Sequence, residues 1–438
     1  MRALFFKSLL MKFLSQLSLT FVFLNIAYAK AQTTDSLLID IVPAISADQS
    51  RISKILSKFD VAVYGVINYH NYKWETLPKK RNDIDFERAV LNTCYKINPH
   101  YKLNAELEFE HGGTGVTLEF DPLEEFGEFE YEVEKGGEVY LEQFNIEYKL
   151  SKYINLSGGK IKVPFGIINF RDEPTEYSTN NLNEAEAAIV PTSWTEYGVS
   201  AFGNIYNWHY NISVVNALDG SAFNSANFIK RGNQKRFETV NANDFAIAGR
   251  LDYKFGEEKF IGISGYYGNT KNNRPKPDLD VDAYAGIYDF HCIMEVEPVE
   301  FSFSFIYGTL QNADKVSYAN RNLSNNLNVK RTPVGSSALG YSFDVGLEVY
   351  DLMPMLGMPH PNGELVIFGR YDFYDTMHTV TGDVYDNPRW ERKTTTFGIN
   401  YQPISQIVFK AQYAMRKISI QEKNNENTFS LGAGFYIK

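Results

Sequence analysis

The composition of this chain excludes several classes of protein before any motif is considered. Its 438 residues carry 43 Lys and Arg against 53 Asp and Glu, a formal net charge of -10, so no nucleic-acid partner is expected. Beyond residue 31 there is no apolar run of about eighteen residues, which excludes a membrane-spanning helix there. Yet 29 Tyr and 32 Phe are many for a chain of negative mean hydropathy. These facts favour a closed membrane β-barrel, whose strands need only one apolar face; the alternative is a large soluble β-sandwich or solenoid.

The N-terminus has the pattern of an exported protein. An apolar run over 13–28 is followed by small residues at 29–31, and three basic residues precede it: Arg2, Lys7 and Lys12. This predicts a secretory signal peptide over 1–31, with a membrane anchor as the weaker alternative. No Cys follows the cleavage pattern, so a lipoprotein is not expected. Helical spacing of Ile52, Ile55, Leu56 and Phe59 then predicts a periplasmic leader over 32–58 that includes a short helix.

From Phe59 to the last residue, apolar side chains recur at every second position. One example is the set Phe301, Phe303 and Phe305, with polar residues between them. This period predicts about sixteen strands, near 59–70, 85–97, 100–111, 138–150, 153–163, 195–204, 208–218, 243–255, 259–269, 280–292, 299–310, 339–350, 363–375, 391–402, 405–416 and 427–437. Their connections alternate between short and long, except for a longer turn at 351–362 on the short side. Short turns at one rim and long loops at the other are typical of outer-membrane barrels, so 59–438 is interpreted as one transmembrane antiparallel β-barrel.

The pattern of residues 153–194 predicts a loop that narrows the lumen of such a barrel. Ile154 and Leu156 differ in parity from Ile161 and Val163, so a β-bulge at Gly158 and Gly159 is expected to bring all four to one face. Lys160 and Lys162 would then face a water-filled lumen. A corner at Pro164, Phe165 and Gly166 ends the strand, and residues 164–194 are predicted to form a pore loop.

Other chemistry is not indicated by the sequence. The seven His residues form no metal motif, no nucleophile motif occurs, and Cys94 and Cys292 are interpreted as strand residues without a disulfide. We therefore predict no catalytic residue, no metal site and no cofactor. The acidic segment 112–137 is interpreted as a solvated external loop, with divalent-cation binding at the lipopolysaccharide surface as the less favoured reading.

Several motifs together resemble the phosphate-selective porin O and P family, in the form common in Bacteroidetes-like bacteria, over about 59–438. They are Phe86-Glu87-Arg88-Ala89, the strand 102–110, Gly159 to Gly166 (GKIKVPFG), Ala217-Leu218-Asp219-Gly220 and the strand 250–255. The resemblance implies a sixteen-stranded barrel, a homotrimer, and a third outer loop that folds inward to narrow a channel for small charged solutes. It also implies outer-membrane lipid and lipopolysaccharide as surroundings and the barrel-assembly machinery as a partner. The closing strand 427–437 fits recognition by that machinery.

The family name implies anion or phosphate selectivity, but the residues of the predicted pore loop point elsewhere. Between Arg171 and Val190, Arg171 is the one basic residue against five acidic ones: Asp172, Glu173, Glu176, Glu184 and Glu186. Weak or cation-leaning selectivity is therefore expected. Eight residues are predicted to set the field of the lumen: Lys160, Lys162, Arg171, Asp172, Glu173, Glu176, Arg250 and Arg370. The alternative function is a non-conducting barrel that acts as an adhesin, receptor or lipid-handling protein through its long loops.

Overall fold

The computed structural model describes residues 55–120, 131–236, 239–256, 259–324, 327 and 329–438. Within these residues the chain forms sixteen strands. They are β1 (Phe59–Trp74), β2 (Asp83–Lys96), β3 (Tyr101–Phe120), β4 (Tyr131–Lys149), β5 (Asn155–Lys162), β6 (Thr195–Ile205), β7 (Trp208–Asn216), β8 (Phe245–Lys254), β9 (Phe260–Asn269), β10 (Tyr284–Val296), β11 (Val299–Leu310), β12 (Ser337–Glu348), β13 (Glu364–Thr379), β14 (Glu391–Ile404), β15 (Ile407–Ile418) and β16 (Asn425–Ile437). The predicted signal peptide 1–31 and most of the predicted leader 32–58 lie outside the described residues.

The strands close into a single barrel in which each strand pairs with its neighbours in sequence. The ring is closed by antiparallel pairing of β1 with β16, from Val63 opposite Ile437 to Trp74 opposite Glu426. Short connections such as 206–207, 297–298 and 405–406 lie at the rim that also holds both ends of the barrel chain. The longer turn 349–363 on this side carries a short helix. The predicted sixteen-stranded barrel is confirmed.

The two faces of the barrel differ in chemistry, as the alternation predicts. On β7, Ile212 and Val214 are 56% and 45% exposed on the outer face, whereas Ser213 and Val215 are buried inside. Similar exposed apolar residues occur on the other strands, including Phe144, Ile247, Phe397 and Leu431. An outward band of this kind is suited to lipid contact.

Part of the interior is filled by packed apolar side chains. Residues on the inner faces of β5 and β7–β12 meet residues from the connections 163–194, 217–244, 270–283 and 311–336 in one buried cluster. Its largest members are Trp194, Tyr266, Phe165, Phe223, Phe228 and Ile189. The polar lumen is therefore displaced toward β13–β16 and β1–β3.

This packing corrects the predicted parity of β5. The strand pairs with β4 and β6 without a register break, from Leu156 opposite Tyr148 to Lys160 opposite Phe144, so no bulge lies at Gly158 and Gly159. Leu156 is 43% exposed outside, while Ile161 is 3% exposed within the interior cluster. The predicted single apolar face is wrong because the loops supply an apolar environment inside the barrel.

The β-bulge in this region lies on the adjacent strand. In β4, Leu141 pairs with Leu107 and Gln143 pairs with Glu106, which leaves Glu142 as the extra residue. Its side chain is fully buried. The β3–β4 hairpin also continues past the predicted strand ends to Phe120 and Tyr131, so part of the segment interpreted as an external loop is paired strand.

Three short α-helices are described: α1 (Glu184–Ile189), α2 (Ala313–Arg321) and α3 (Leu352–Met355). In the described part of the chain, no helix has the length and apolar character required to cross a bilayer. Cys94 and Cys292 are both free thiols.

Candidate pore loop and lumen

The loop 163–194 enters the barrel and contacts strands on the opposite wall. Its two ends are held together, because Val163 N donates to Trp194 O at 2.8 Å. The Asn169 side-chain amide also donates to the backbone carbonyls of Val163 and Trp194. At its far side, Lys410 Nζ on β15 donates to Tyr177 O at 2.6 Å and Thr179 O at 2.8 Å. Further anchors come from β1, β11 and β14: Asn68, Glu300, Ser304 and Asn400. The loop thus crosses the lumen, as the fold prediction requires.

Asp172 is the ionic anchor of the loop on the near wall. Its carboxylate accepts from the Tyr64 hydroxyl at 2.8 Å and Arg88 Nη1 at 3.2 Å, and lies 3.8 Å from Lys162 Nζ. Burial disfavours this charge, but Lys162 and Arg88 outweigh burial and hold the pKa of Asp172 below its usual range. Asp172 is therefore an ionised residue that anchors the loop to the wall, and its charge is balanced by these partners.

The two cations that hold Asp172 also have partners of their own on the wall. Arg88 lies 3.8 Å from Glu108, and Lys162 lies 3.7 Å from Glu106. These pairs form a compact ion cluster on β2, β3 and β5. Asp172 therefore joins two cations that each already face a wall carboxylate.

Helix α1 is fixed by caps from both the loop and the wall. The Asn183 side chain accepts from Glu186 N at 3.1 Å, and Asp372 on β13 accepts from Glu184 N at the same distance. The Glu184 carboxylate in turn accepts from Arg416 Nη2 at 2.6 Å. Burial opposes this charge, but Arg416 outweighs it and lowers the pKa of Glu184. The second loop carboxylate is thus also neutralised by a wall cation.

The corner where β5 passes into the loop is held by backbone contacts. Gly166 has φ +64°, its N–H donates to Ser264 Oγ at 3.0 Å, and its carbonyl accepts from Arg250 Nη1. The Glu186 carboxylate accepts from the N–H groups of Ile167 and Ile168, each at 3.2 Å. Burial raises the pKa of Glu186 to about 8. At neutral pH this carboxyl is mainly protonated and adds little charge to the lumen.

The remaining loop charges line a cavity of about 780 Å³ that extends toward the rim of the short connections. Arg171, Glu173 and Glu176 lie in its wall, and Arg171 Nη2 donates to Glu176 O at 3.0 Å. Burial raises the pKa of Glu176 to about 7, with Arg171 opposing and Glu173 adding to the shift. We call this space the vestibule.

Arg370 lies between the vestibule and a smaller cavity on the other side of the loop. It lines both spaces, as does Leu182, and the second cavity measures about 220 Å³. Its Nη1 donates to Asn181 O at 3.0 Å, and its Nε donates to Asp344. This guanidinium therefore lies at the boundary between the two spaces, and we call this boundary the constriction. The 220 Å³ space is called the outer cavity.

The eight predicted lumen residues do not form one group. Lys162 and Asp172 meet in the ion cluster, Arg171, Glu173 and Glu176 line the vestibule, Arg250 holds the corner, and Arg370 lies at the constriction. The register places Lys160 opposite Phe144 and Tyr197, which are exposed on the outer face. Lys160 Nζ donates to the backbone carbonyl of Leu141 at 2.7 Å, so this cation lies apart from the ion cluster that holds Lys162.

Sequence reasoning missed four wall residues that hold the loop: Arg88, Asp372, Lys410 and Arg416. Their alternation with apolar neighbours indicates lumen-facing positions. No local spacing, however, connects Arg88 with Asp172 or Arg416 with Glu184, because each pair is far apart in sequence. Trp194 at the end of the loop is 1% exposed and packs within the interior cluster.

Comparisons with known proteins agree with this architecture. The family model described as phosphate-selective porin O and P matches residues 64–437. An uncharacterized protein of Aquifex aeolicus (strain VF5) is 25% identical over 389 residues, which cover 86% of this chain and 80% of that protein. Among solved structures, Salmonella typhi OmpF in complex with daunomycin gives a TM-score of 0.51 at 8% identity, covering 86% of this chain and 97% of that chain. A loop-deletion mutant of Vibrio cholerae OmpT gives 0.50 at 13% identity, covering 87% and 100%. The chain belongs to the phosphate-selective porin O and P family and is an outer-membrane porin.

Proposed function

We propose that this porin is a passive channel for small polar solutes, narrowed by loop 163–194 and weakly selective for cations. The observation that carries the proposal is the charge of the vestibule. Its lining includes six acidic residues, Glu173, Glu176, Glu295, Glu300, Asp344 and Glu364, against three basic ones, Arg171, Arg370 and Lys438. A low-dielectric wall with an excess of one sign concentrates the opposite ion.

The strength of this preference is limited by charges that cancel within the lumen. Asp172 and Glu184 are paired with wall cations, and the raised pKa of Glu186 leaves it mainly neutral. The loop charge of -4 counted from sequence is therefore mostly removed, and selectivity arises from the vestibule. We expect a modest cation preference and not the strong anion preference that the family name suggests.

Reversal potentials across a salt gradient in planar bilayers test this selectivity. A potential of the sign expected for cation preference is predicted, and Glu173→Gln with Glu176→Gln should reduce it. Asp383→Asn, an exposed loop carboxylate outside the cavities, is the matched control. Strong anion preference in the wild type would contradict the proposal.

The alternative is a non-conducting barrel that works through its long loops. Deleting residues 172–190 separates the two functions, since a loop that narrows a channel should limit its current. We expect single-channel conductance to rise in the deletion variant. A variant that folds into a barrel but remains at background conductance would favour the alternative.

We also propose that the porin is a homotrimer inserted by the barrel-assembly machinery after export with its signal peptide. The closing strand β16 carries the outward apolar residues Phe429 and Leu431, which suits recognition of a C-terminal strand. Crosslinking in native outer membranes measures the oligomer directly. A barrel that crosslinks only as a monomer would contradict this part of the proposal.

A further inference from the structure

A line of aromatic side chains on β1 occupies a part of the lumen that the proposed selectivity does not explain. Its members are His70, Tyr72 and Trp74, which we call the aromatic track. Ring centroids are 5.7 Å apart for His70 and Tyr72 and 5.2 Å apart for Tyr72 and Trp74. All three line the outer cavity. Since the interior of a water-filled barrel is usually polar, three rings in line on one strand are a feature that the charges of this lumen do not explain.

The barrel wall fixes the rings of the track through their polar atoms. Trp74 Nε1 donates to Thr428 Oγ1 at 3.0 Å, and His70 Nδ1 lies 2.8 Å from Ser430 Oγ. The Tyr72 hydroxyl donates to Asp83 at 3.1 Å. Because these polar atoms already have partners on the barrel, a solute would meet the track through the ring surfaces that the neighbouring ring and Arg416, 5.8 Å from the Trp74 centroid, leave uncovered.

A loop cation partly covers the outer end of the track. Lys80 Nζ lies 4.4 Å from the centroid of Tyr72 and 4.7 Å from that of Trp74. This long side chain comes from the connection 75–82, so it can move aside without disturbing a strand. Once displaced, its ammonium is a hydrogen-bond donor beside the rings.

The charges of the outer cavity are balanced. Its lining includes two carboxylates and two guanidinium groups, Glu184, Asp372, Arg370 and Arg416. Arg416 Nη2 lies 2.6 Å from Glu184 Oε1, so at least one opposite pair is in direct contact. A site for an anion or a cation needs an excess of the opposite sign, and this cavity has none. Its occupant is therefore expected to be neutral.

Hydroxyl and amide groups supply the remaining polar lining of this cavity. They belong to Thr179, Asn181, Thr396, Gln412, Thr428 and Ser430. Aromatic faces beside such groups match a sugar ring, which has an apolar C–H face and a rim of hydroxyls. We propose that the aromatic track and the outer cavity bind neutral sugar rings on their way to the constriction. This inference rests on the proposed passive channel.

Current block in planar bilayers tests the inference with maltotriose added to the long-loop side. Maltotriose should reduce the ion current in a saturable way. Trp74→Ala should raise the half-blocking concentration roughly three- to tenfold, the loss expected for one stacking face. Trp74→Phe should retain most of the block because it keeps an aromatic face. Trp208→Ala, a change on the outer surface, is the matched control and should behave like the wild type.

The outcomes separate this inference from the proposed function. A conducting channel that maltotriose does not block, or one in which Trp74→Ala is blocked as strongly as the wild type, overturns the sugar site alone. Equal block by a polyethylene glycol of similar size shows plain obstruction and overturns it too. A silent barrel contradicts the proposed channel instead. In that case, calorimetric titration of the detergent-folded protein with maltotriose decides the site, and no binding refutes it.

Discussion

Removing the charge of Asp172 is expected to loosen the pore loop without unfolding the barrel. Asp172→Asn keeps the side-chain shape but leaves Arg88 and Lys162 without the loop carboxylate that they hold at 3.2 and 3.8 Å. Hydrogen bonds to charged groups contribute about 1.5–3 kcal/mol each. Stranding a buried charge costs more, about 3–5 kcal/mol.

The wall determines which of these magnitudes applies. After the substitution, Arg88 still lies 3.8 Å from Glu108, and Lys162 lies 3.7 Å from Glu106, so neither cation is stranded. The lower range therefore applies, and we expect the free energy that favours the docked loop to fall by about 2 kcal/mol. A loss of about 2 kcal/mol shifts the equilibrium between docked and undocked loop roughly thirtyfold.

Single-channel recording measures this shift as brief openings to a larger conductance, because an undocked loop obstructs the lumen less. Asp172→Asn should show such openings much more often than the wild type, while thermal unfolding of the folded barrel changes little. Asp383→Asn provides the control for removing a loop carboxylate elsewhere. If Asp172→Asn conducts at the wild-type level without extra openings, the ion cluster does not hold the loop.

Three further predictions follow from other parts of the barrel. Raising the pH from 6 to 8 crosses the pKa of Glu176, about 7, and converts its neutral carboxyl into a negative charge in the vestibule. The cation preference measured by reversal potential should therefore increase with pH, and Glu176→Gln should weaken this dependence. Gly166→Ala puts a Cβ at φ +64° against the Glu186 carboxylate, so it should destabilise the barrel by about 2 kcal/mol or more in thermal unfolding, and an unchanged melting temperature would contradict the corner geometry. Ile212→Arg on the lipid face should cost about 2–4 kcal/mol in equilibrium unfolding from bilayers, with Ile212→Leu as the control, and a negligible cost would place Ile212 away from lipid.

The wall of the barrel could be predicted because it follows from local chemistry. The period of two in segments such as 208–214 and 301–307 reflects one lipid-facing and one inward face, which any strand of the barrel must satisfy. The alternation of short and long connections then predicted which ends of the strands lie at each rim of the barrel. Strand ends were less predictable, as β3 and β4 show, because pairing continues into an acidic segment whose composition is typical of a loop.

The interior could be predicted only in part, because it depends on contacts between distant segments. The sequence indicates that loop 163–194 is acidic, but its charge is offset by Arg88 and Arg416, which lie on strands remote in sequence. The predicted bulge in β5 failed for a related reason. It assumed that the whole interior is filled with water, whereas Ile161 belongs to a buried apolar cluster that includes loop residues such as Phe165 and Trp194.

The paired ends of the pore loop have a consequence for how such proteins diversify. Because Val163 and Trp194 are already hydrogen bonded at the top of β5 and β6, the segment between them is an insert on a finished hairpin. This segment can be replaced by one of different length and charge while the strands of the barrel keep their pairing register. A single scaffold can in this way acquire new permeability without a new fold.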